Sequence, residues 1–283
     1  MAAIGLKGGV EVAAAGFTSD LIVAALAGLL LSCLIPLGTF FVLRSFGRLD
    51  AINSAAVAAH YGSVSVVTFV TGAEFLTGNG IGAAGYMVAV LALMETPAII
   101  VGLFLAARYG DQTKGGAMQQ SRGELLHETL LNGSVVLLTG SFVIGLIAGK
   151  EGFAPIAPVF ETGFRGILCL FLLDMGLVAA RRLREAKTLT ARLAFLAILF
   201  PIVNGTFGAA LGAFAGLDAG STAALAILAA SASYIAVPAA MRLALPQADS
   251  GLYLTLSLAV TFPFNIIFGI PFYSWLATQL TSG

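Results

Sequence analysis

The chain has 283 residues, is 59% hydrophobic and 10% charged, and carries no formal net charge; its mean hydropathy is +0.99. An ordinary soluble domain is about one quarter charged, so this composition is that of an integral membrane protein, and the balanced charge excludes a nucleic-acid footprint. Cys33 and Cys169 lie in apolar runs, far from any His or Cys at metal-ligand spacing. They read as small buried hydrophobes, with no redox or metal chemistry indicated.

In chain order, Met1 to Gly16 is too short and too rich in Gly and Ala for a complete span. Leu21 to Leu43 is a full spanning helix with Pro36 inside it, closed by Arg44, Arg48 and Asp50. The second span, Ala51 to Gly72, contains the run Ala58 to Val70, where His60, Tyr61, Gly62, Ser63, Ser65 and Thr68 stand where a membrane helix should be driest. Gly85 to Ala107 carries Glu95, Thr96 and Pro97 near its centre. Arg108 to Glu128 is the longest polar stretch and a natural boundary. The second part of the chain offers Gly133 to Gly149, Gly163 to Ala180, Leu193 to Leu217 with Pro201 and Asn204, and Ser221 to Ala240 with the small polar run Ala229 to Ala239. Leu252 to Leu276, with Thr261, Pro263, Asn265 and Pro271, closes the series. The expectation is an all-α membrane protein of about eight spans. Placing Arg44 and Arg48 in the cytoplasm puts every basic residue except Lys7, Lys150 and Arg165 on the same side.

The order of features repeats. A Pro-containing span, a Ser-interrupted span and a span with Thr and Pro near its middle occur in each half, and the basic residues orient the two sets oppositely. This predicts an inverted-topology repeat with residues 1–110 as a first, incomplete copy, 111–130 as a cytoplasmic linker and 131–283 as the second. The first copy lacks a counterpart to the helical material before Gly176, so about one and a half helices are expected to be missing from its beginning.

Helices interrupted inside lipid leave backbone groups to be satisfied by protein or by a polar cavity, and their half-helix N-termini favour an anion. Gly62, Ser63, Val64 and Ser65 from one half, with Ser231, Ala232 and Ser233 from the other, form the candidate substrate site. Pro238 weakens the helix beside the second cluster. A midspan carboxylate costs on the order of 2.5–3.5 kcal/mol to insert, which makes Glu95 the candidate for cation binding or proton coupling, against the alternative of a structural hydrogen bond. Thr68, Thr261 and Asn265 complete the candidate cation ligands. His60 reads either as a hydrogen-bonded packing residue or as a proton relay, and Asp174 pairs along its helix with Arg181. An intramembrane aspartyl protease needs two facing carboxylates, and Glu95 with Asp174 lacks the motifs that would surround them.

Five stretches carry a resemblance: Ile4-Gly5-Leu6-Lys7-Gly8-Gly9, Tyr61 to Val67, Met94-Glu95-Thr96-Pro97-Ala98, Phe164-Arg165-Gly166 leading to Met175-Gly176, and Ala229 to Pro238. In these the chain resembles the sodium-dependent bicarbonate permease family. The resemblance implies ten helices in two inverted five-helix repeats, a core domain moving against a gate domain, and a homotrimer in a bacterial-type inner membrane. It further implies bicarbonate and sodium bound where two broken helices cross, and regulation by a small PII-like protein. The sequence departs from the family at Glu95 and Tyr234, where the well-known carriers have Asp. The second departure leaves the number of sodium ions, and the anion itself, open. The expected function is a secondary transporter importing a small anion, with bicarbonate and sodium symport leading. Transport of another small anion, a channel and a non-transporting sensor are the alternatives.

Overall fold

The computed structural model describes residues 2–16, 18–110, 133–186 and 189–282. The expected linker at 111–130 lies outside the described residues. Helix is the regular structure of those that are described, and six helices are long and apolar enough to cross a membrane.

The first helix, α1 (Ala2–Ala15), is short and lies against α6 (Gly133–Phe153). Glycines set that contact: a Cβ on Gly9 would strike the Phe142 carbonyl, and one on Gly145 the Leu6 carbonyl. Backbone approaches of this kind are how helices associate where lipid removes any hydrophobic drive. The helix α6 also kinks at Gly149, whose φ of 59° suits a residue without a Cβ.

The spans α2 (Ser19–Gly47) and α8 (Ala191–Phe214) begin alike. Thr18 accepts from the Leu21 amide and Thr190 from the Leu193 amide, each at 3.3 Å, and each helix tolerates an internal proline, Pro36 or Pro201. The short helices that follow, α3 (Ala51–Gly62) and α9 (Ala219–Ala230), are capped by Asp50 accepting from Asn53 N and Asp218 from Ser221 N, each at 2.9 Å. Burial acts to raise the Asp50 pKa, but the hydrogen bonds from Asn53 outweigh it and hold this loop carboxyl below its usual range.

Beyond α3 the chain leaves helical geometry for three residues and resumes as α4 (Val66–Gly78); beyond α9 it does so for five and resumes as α10 (Ala236–Ala244). The expected single span Ser221 to Ala240 is therefore two short helices. The span expected at Gly85 to Ala107 is α5 (Met87–Tyr109), and α7 (Gly163–Glu185) covers Gly163 to Ala180. The last helix, α11 (Ser250–Thr281), stays continuous by widening into π-type turns at Thr255–Thr261 and Asn265–Gly269. Pro263, which supplies no amide to the ladder, sits between them.

The broken helix is the interior of the molecule: every residue from Ser54 to Val70 is buried, against 22% of Val136–Phe153. Cys169, read from its apolar surroundings as buried, is exposed on α7, and Cys33 is partly exposed. The physical reason is that lipid-facing and protein-facing positions of a membrane helix are equally apolar, so hydrophobicity does not separate them.

Candidate functional site

The first break occupies residues 63–65. Ser63 turns to extended backbone (φ −89°, ψ 175°), and Ser65 becomes the cap of α4, its Oγ accepting from the Thr68 amide at 3.2 Å. Serine competes in this way with the helical ladder, which is why the helix restarts there. The second break occupies 231–235. Pro238 explains its position: in a continuous helix its ring would collide with the carbonyl of Tyr234, whereas in the first turn of α10 its missing amide costs nothing.

The two breaks are hydrogen-bonded to one another. The Ser65 amide donates to Ser231 Oγ at 2.9 Å, and the Ser233 amide donates to the His60 carbonyl at 2.8 Å. Orphan backbone groups of one broken helix are thus satisfied by the other, as a lipid-embedded chain requires. The N-termini of α4 and α10 both begin at this crossing and bring the positive ends of two half-helix dipoles to it.

Around the crossing the structure gathers most of the polar residues singled out above. Ser63 Oγ donates to the backbone carbonyl of Glu95 at 3.1 Å, tying α5 to the first break. The Glu95 side chain is 4% exposed, and its Oε2 has no hydrogen-bond partner. Thr68 Oγ1 donates to Ser65 Oγ at 3.0 Å. Gly62 lies against the Pro36 ring of α2, and Val64 and Ala232 are buried between the serines.

Thr261 and Asn265 are held differently. Thr261 Oγ1 donates to the Ala197 carbonyl at 2.7 Å and also meets the Tyr61 hydroxyl at 2.6 Å. Asn265 Nδ2 donates at 2.8 Å to the carbonyl of Ala230, the last residue of α9, while its Oδ1 accepts from Tyr273 at 3.3 Å. Their oxygens are engaged in holding α11 to the framework. His60 is wholly buried, its Nδ1 bonded to the Ala56 carbonyl at 2.7 Å and its ring stacked on Tyr253 with centroids 4.4 Å apart. The exposed Asp174 stands away on α7.

Sequence reasoning did not anticipate Ser231 as the acceptor that joins the breaks, nor Tyr61 and Tyr273 as anchors. The signal available was the general need of a buried tyrosine hydroxyl for a partner, which names no partner. A cavity of about 400 Å³ opens beside the outer face of α4, with Lys7, Glu11, Phe69, Glu74 and Thr77 in its wall. None of the crossing serines lines it; Phe69, one residue beyond Thr68, is its nearest approach along the chain. Glu95 Oε2, His60 Nε2 and the Tyr234 hydroxyl are buried without a hydrogen-bond partner, as are polar atoms of Ser54, Tyr86 and Asn204.

A buried polar crossing of two interrupted helices inside a multi-pass helical membrane protein is the architecture of a solute-handling protein. Among curated proteins, no sequence matches the chain. Residues 1–278 match the Na+-dependent bicarbonate transporter superfamily, and the chain belongs to it. Membership makes this a transport protein rather than an enzyme and implies sodium as co-substrate. Among the described residues no group of three or more His, Cys, Asp or Glu comes together.

Proposed function

We propose that the protein is a secondary transporter that carries bicarbonate with sodium across the membrane by alternating access, and that the crossing of the two broken helices is its binding site. The observation that supports this most is the pairing of two half-helix N-termini with a buried carboxylate whose Oε2 has no partner. The dipole ends and the hydroxyl of Tyr234 favour an oxyanion. Glu95 supplies the negative charge that attracts a cation, and because the site is buried both ions shed water into fixed protein groups. Gly62, Ser63, Val64, Ser65, Ser231, Ala232 and Ser233 shape the anion position, with Glu95 and Thr68 on the cation side. Thr261 and Asn265 act one layer out, by holding α11 against the crossing.

We further infer that the two halves are inverted repeats. The matched threonine caps, internal prolines and aspartate caps of the α2–α3 and α8–α9 pairs support this. A homotrimer and a PII-like regulator remain expectations from the family resemblance. The deciding experiment is uptake of labelled bicarbonate by vesicles containing the full chain, with sodium and bicarbonate varied independently. Saturable, sodium-dependent uptake with counterflow supports the reading. Flux without saturation or counterflow would make the protein a channel, and binding without flux a sensor.

A further inference from the structure

Tyr234 sits in the middle of the second break, where the backbone is not helical. It is 8% exposed, and its ring is seated edge-on against Phe262 with centroids 5.3 Å apart. Its hydroxyl is buried with no hydrogen-bond partner. An orphan hydroxyl in such a place is destabilising, and at the crossing of a carrier the simplest compensation is the cargo.

The side chain facing that phenolic oxygen is Ser65 of the other break, which approaches it without closing a hydrogen bond of good geometry. Ser65 Oγ already accepts twice, from Thr68 N at 3.2 Å and from Thr68 Oγ1 at 3.0 Å. A hydroxyl has two acceptor positions and one proton, so Ser65 has no acceptor capacity left for Tyr234. Its one proton is all that it can offer to the phenolic oxygen. The chain of hydroxyls therefore runs Thr68 to Ser65 to Tyr234, and it ends on a phenolic O–H with no acceptor in the protein. Donors aligned in this way polarise one another, which strengthens the last one.

We propose that Tyr234 is a specificity-determining residue for the anion: its hydroxyl donates a hydrogen bond to an oxygen of the transported oxyanion and is not a ligand of the cation. The proposal rests on the transport reading above. It divides the crossing into two chemically distinct positions. The anion lies where the Tyr234 hydroxyl and the N-termini of α4 and α10 present donating or positive groups. The cation lies on the side of the unpartnered Glu95 carboxylate. An anion with a poorly accepting surface, such as a halide, gains less from the phenol than an oxyanion does, so the same hydroxyl biases the site toward oxygen-bearing cargo.

The test uses the full chain, purified in detergent, and measures half-saturation by bicarbonate at saturating sodium and by sodium at saturating bicarbonate. In Tyr234→Phe the ring keeps its seat on Phe262 and only the donor is lost. Half-saturation by bicarbonate is expected to rise on the order of tenfold or more, with sodium half-saturation unchanged. A ring-fluorinated tyrosine at position 234 gives the opposite sign: its phenol is a better donor and a poorer acceptor, so bicarbonate should bind more tightly. A larger effect on sodium than on bicarbonate in Tyr234→Phe, no effect on either, or weaker bicarbonate binding with the fluorinated ring would each overturn the proposal. If Tyr234→Phe does not fold, the fluorinated protein decides by the sign of its shift. Absence of sodium-dependent bicarbonate binding in the unsubstituted protein would overturn the transport reading itself.

Discussion

At the first break Ser65 closes a cap onto Thr68, and Ser63 reaches the α5 backbone beside a buried carboxylate. At the second, α10 starts with only a long contact from the Val237 amide to Ser233 Oγ at 3.4 Å, no carboxylate is present, and the central side chain is a tyrosine. Yet the helices leading into the two breaks carry equivalent aspartate caps with equal bond lengths, and each broken helix donates one hydrogen bond to the other. Matched flanks with unmatched centres mean that the scaffold and the cargo chemistry are separable. The capped helices and their prolines position two interruptions, and different side chains then fill them: serines tied to the Glu95 backbone at the first, Tyr234 at the second.

The strongest way to break this comparison is to remove its charge. Glu95→Gln keeps the shape of the side chain, and sodium-dependent bicarbonate uptake is expected to disappear while detergent thermal stability is retained or rises, because a buried carboxyl with an unpartnered Oε2 is replaced by a group that never ionises. Retained uptake at unchanged sodium dependence would remove Glu95 from the site. Gly62→Leu attacks the scaffold: its Cβ would collide with the Pro36 ring and come within 2.9 Å of the Ala98 Cβ. A loss of about 1–3 kcal/mol in stability is expected, read as a lower melting temperature and a lower yield of folded protein.

Ser231→Ala tests the join. It leaves the Ser65 amide without its acceptor and should cost about 1–3 kcal/mol, more than Ser63→Ala, whose hydroxyl bonds a carbonyl that belongs to a helix. Equal melting temperatures for the two variants would show that the cross-break bond contributes nothing. The smallest effects are expected at the flanks. Asp50→Ala and Asp218→Ala should each cost about 0.5–2 kcal/mol, by similar amounts if the two halves are built alike. Because hydrogen bonding lowers the Asp50 pKa from 3.8 in the folded protein, its contribution is present above that value. It is lost as the pH falls through the lower folded value, so the difference between Asp50→Ala and the unsubstituted protein should shrink in acid.

Much of the architecture was legible in the residues. The spans at Leu21 to Leu43, Gly85 to Ala107 and Leu193 to Leu217 differ from the helices observed by only a few residues at each end. The small polar runs at Ala58 to Val70 and Ala229 to Ala239 contain both interruptions. The candidate site was legible as a set of types and not as a set of roles. Thr261 and Asn265 offer the same oxygens in the sequence as Ser63 and Ser65, and only the fold shows that those oxygens are already bonded to Tyr61, Ala197, Tyr273 and the end of α9. Tyr234 reads through the family resemblance as a replaced Asp, and in the structure as a buried hydroxyl without a partner.

By itself the sequence determined that the chain lives in a membrane, roughly where its helices lie, and which two small polar runs interrupt them. Those follow from hydropathy, capping residues and proline, which act over a few neighbouring residues. Tertiary structure decided that the breaks meet, that Ser65 pairs with Ser231, and which polar atoms are left for cargo. Hydrogen-bond saturation is a property of the whole fold: a hydroxyl more than 160 residues away in the chain determines whether a given oxygen is spent or free, and no local pattern records that.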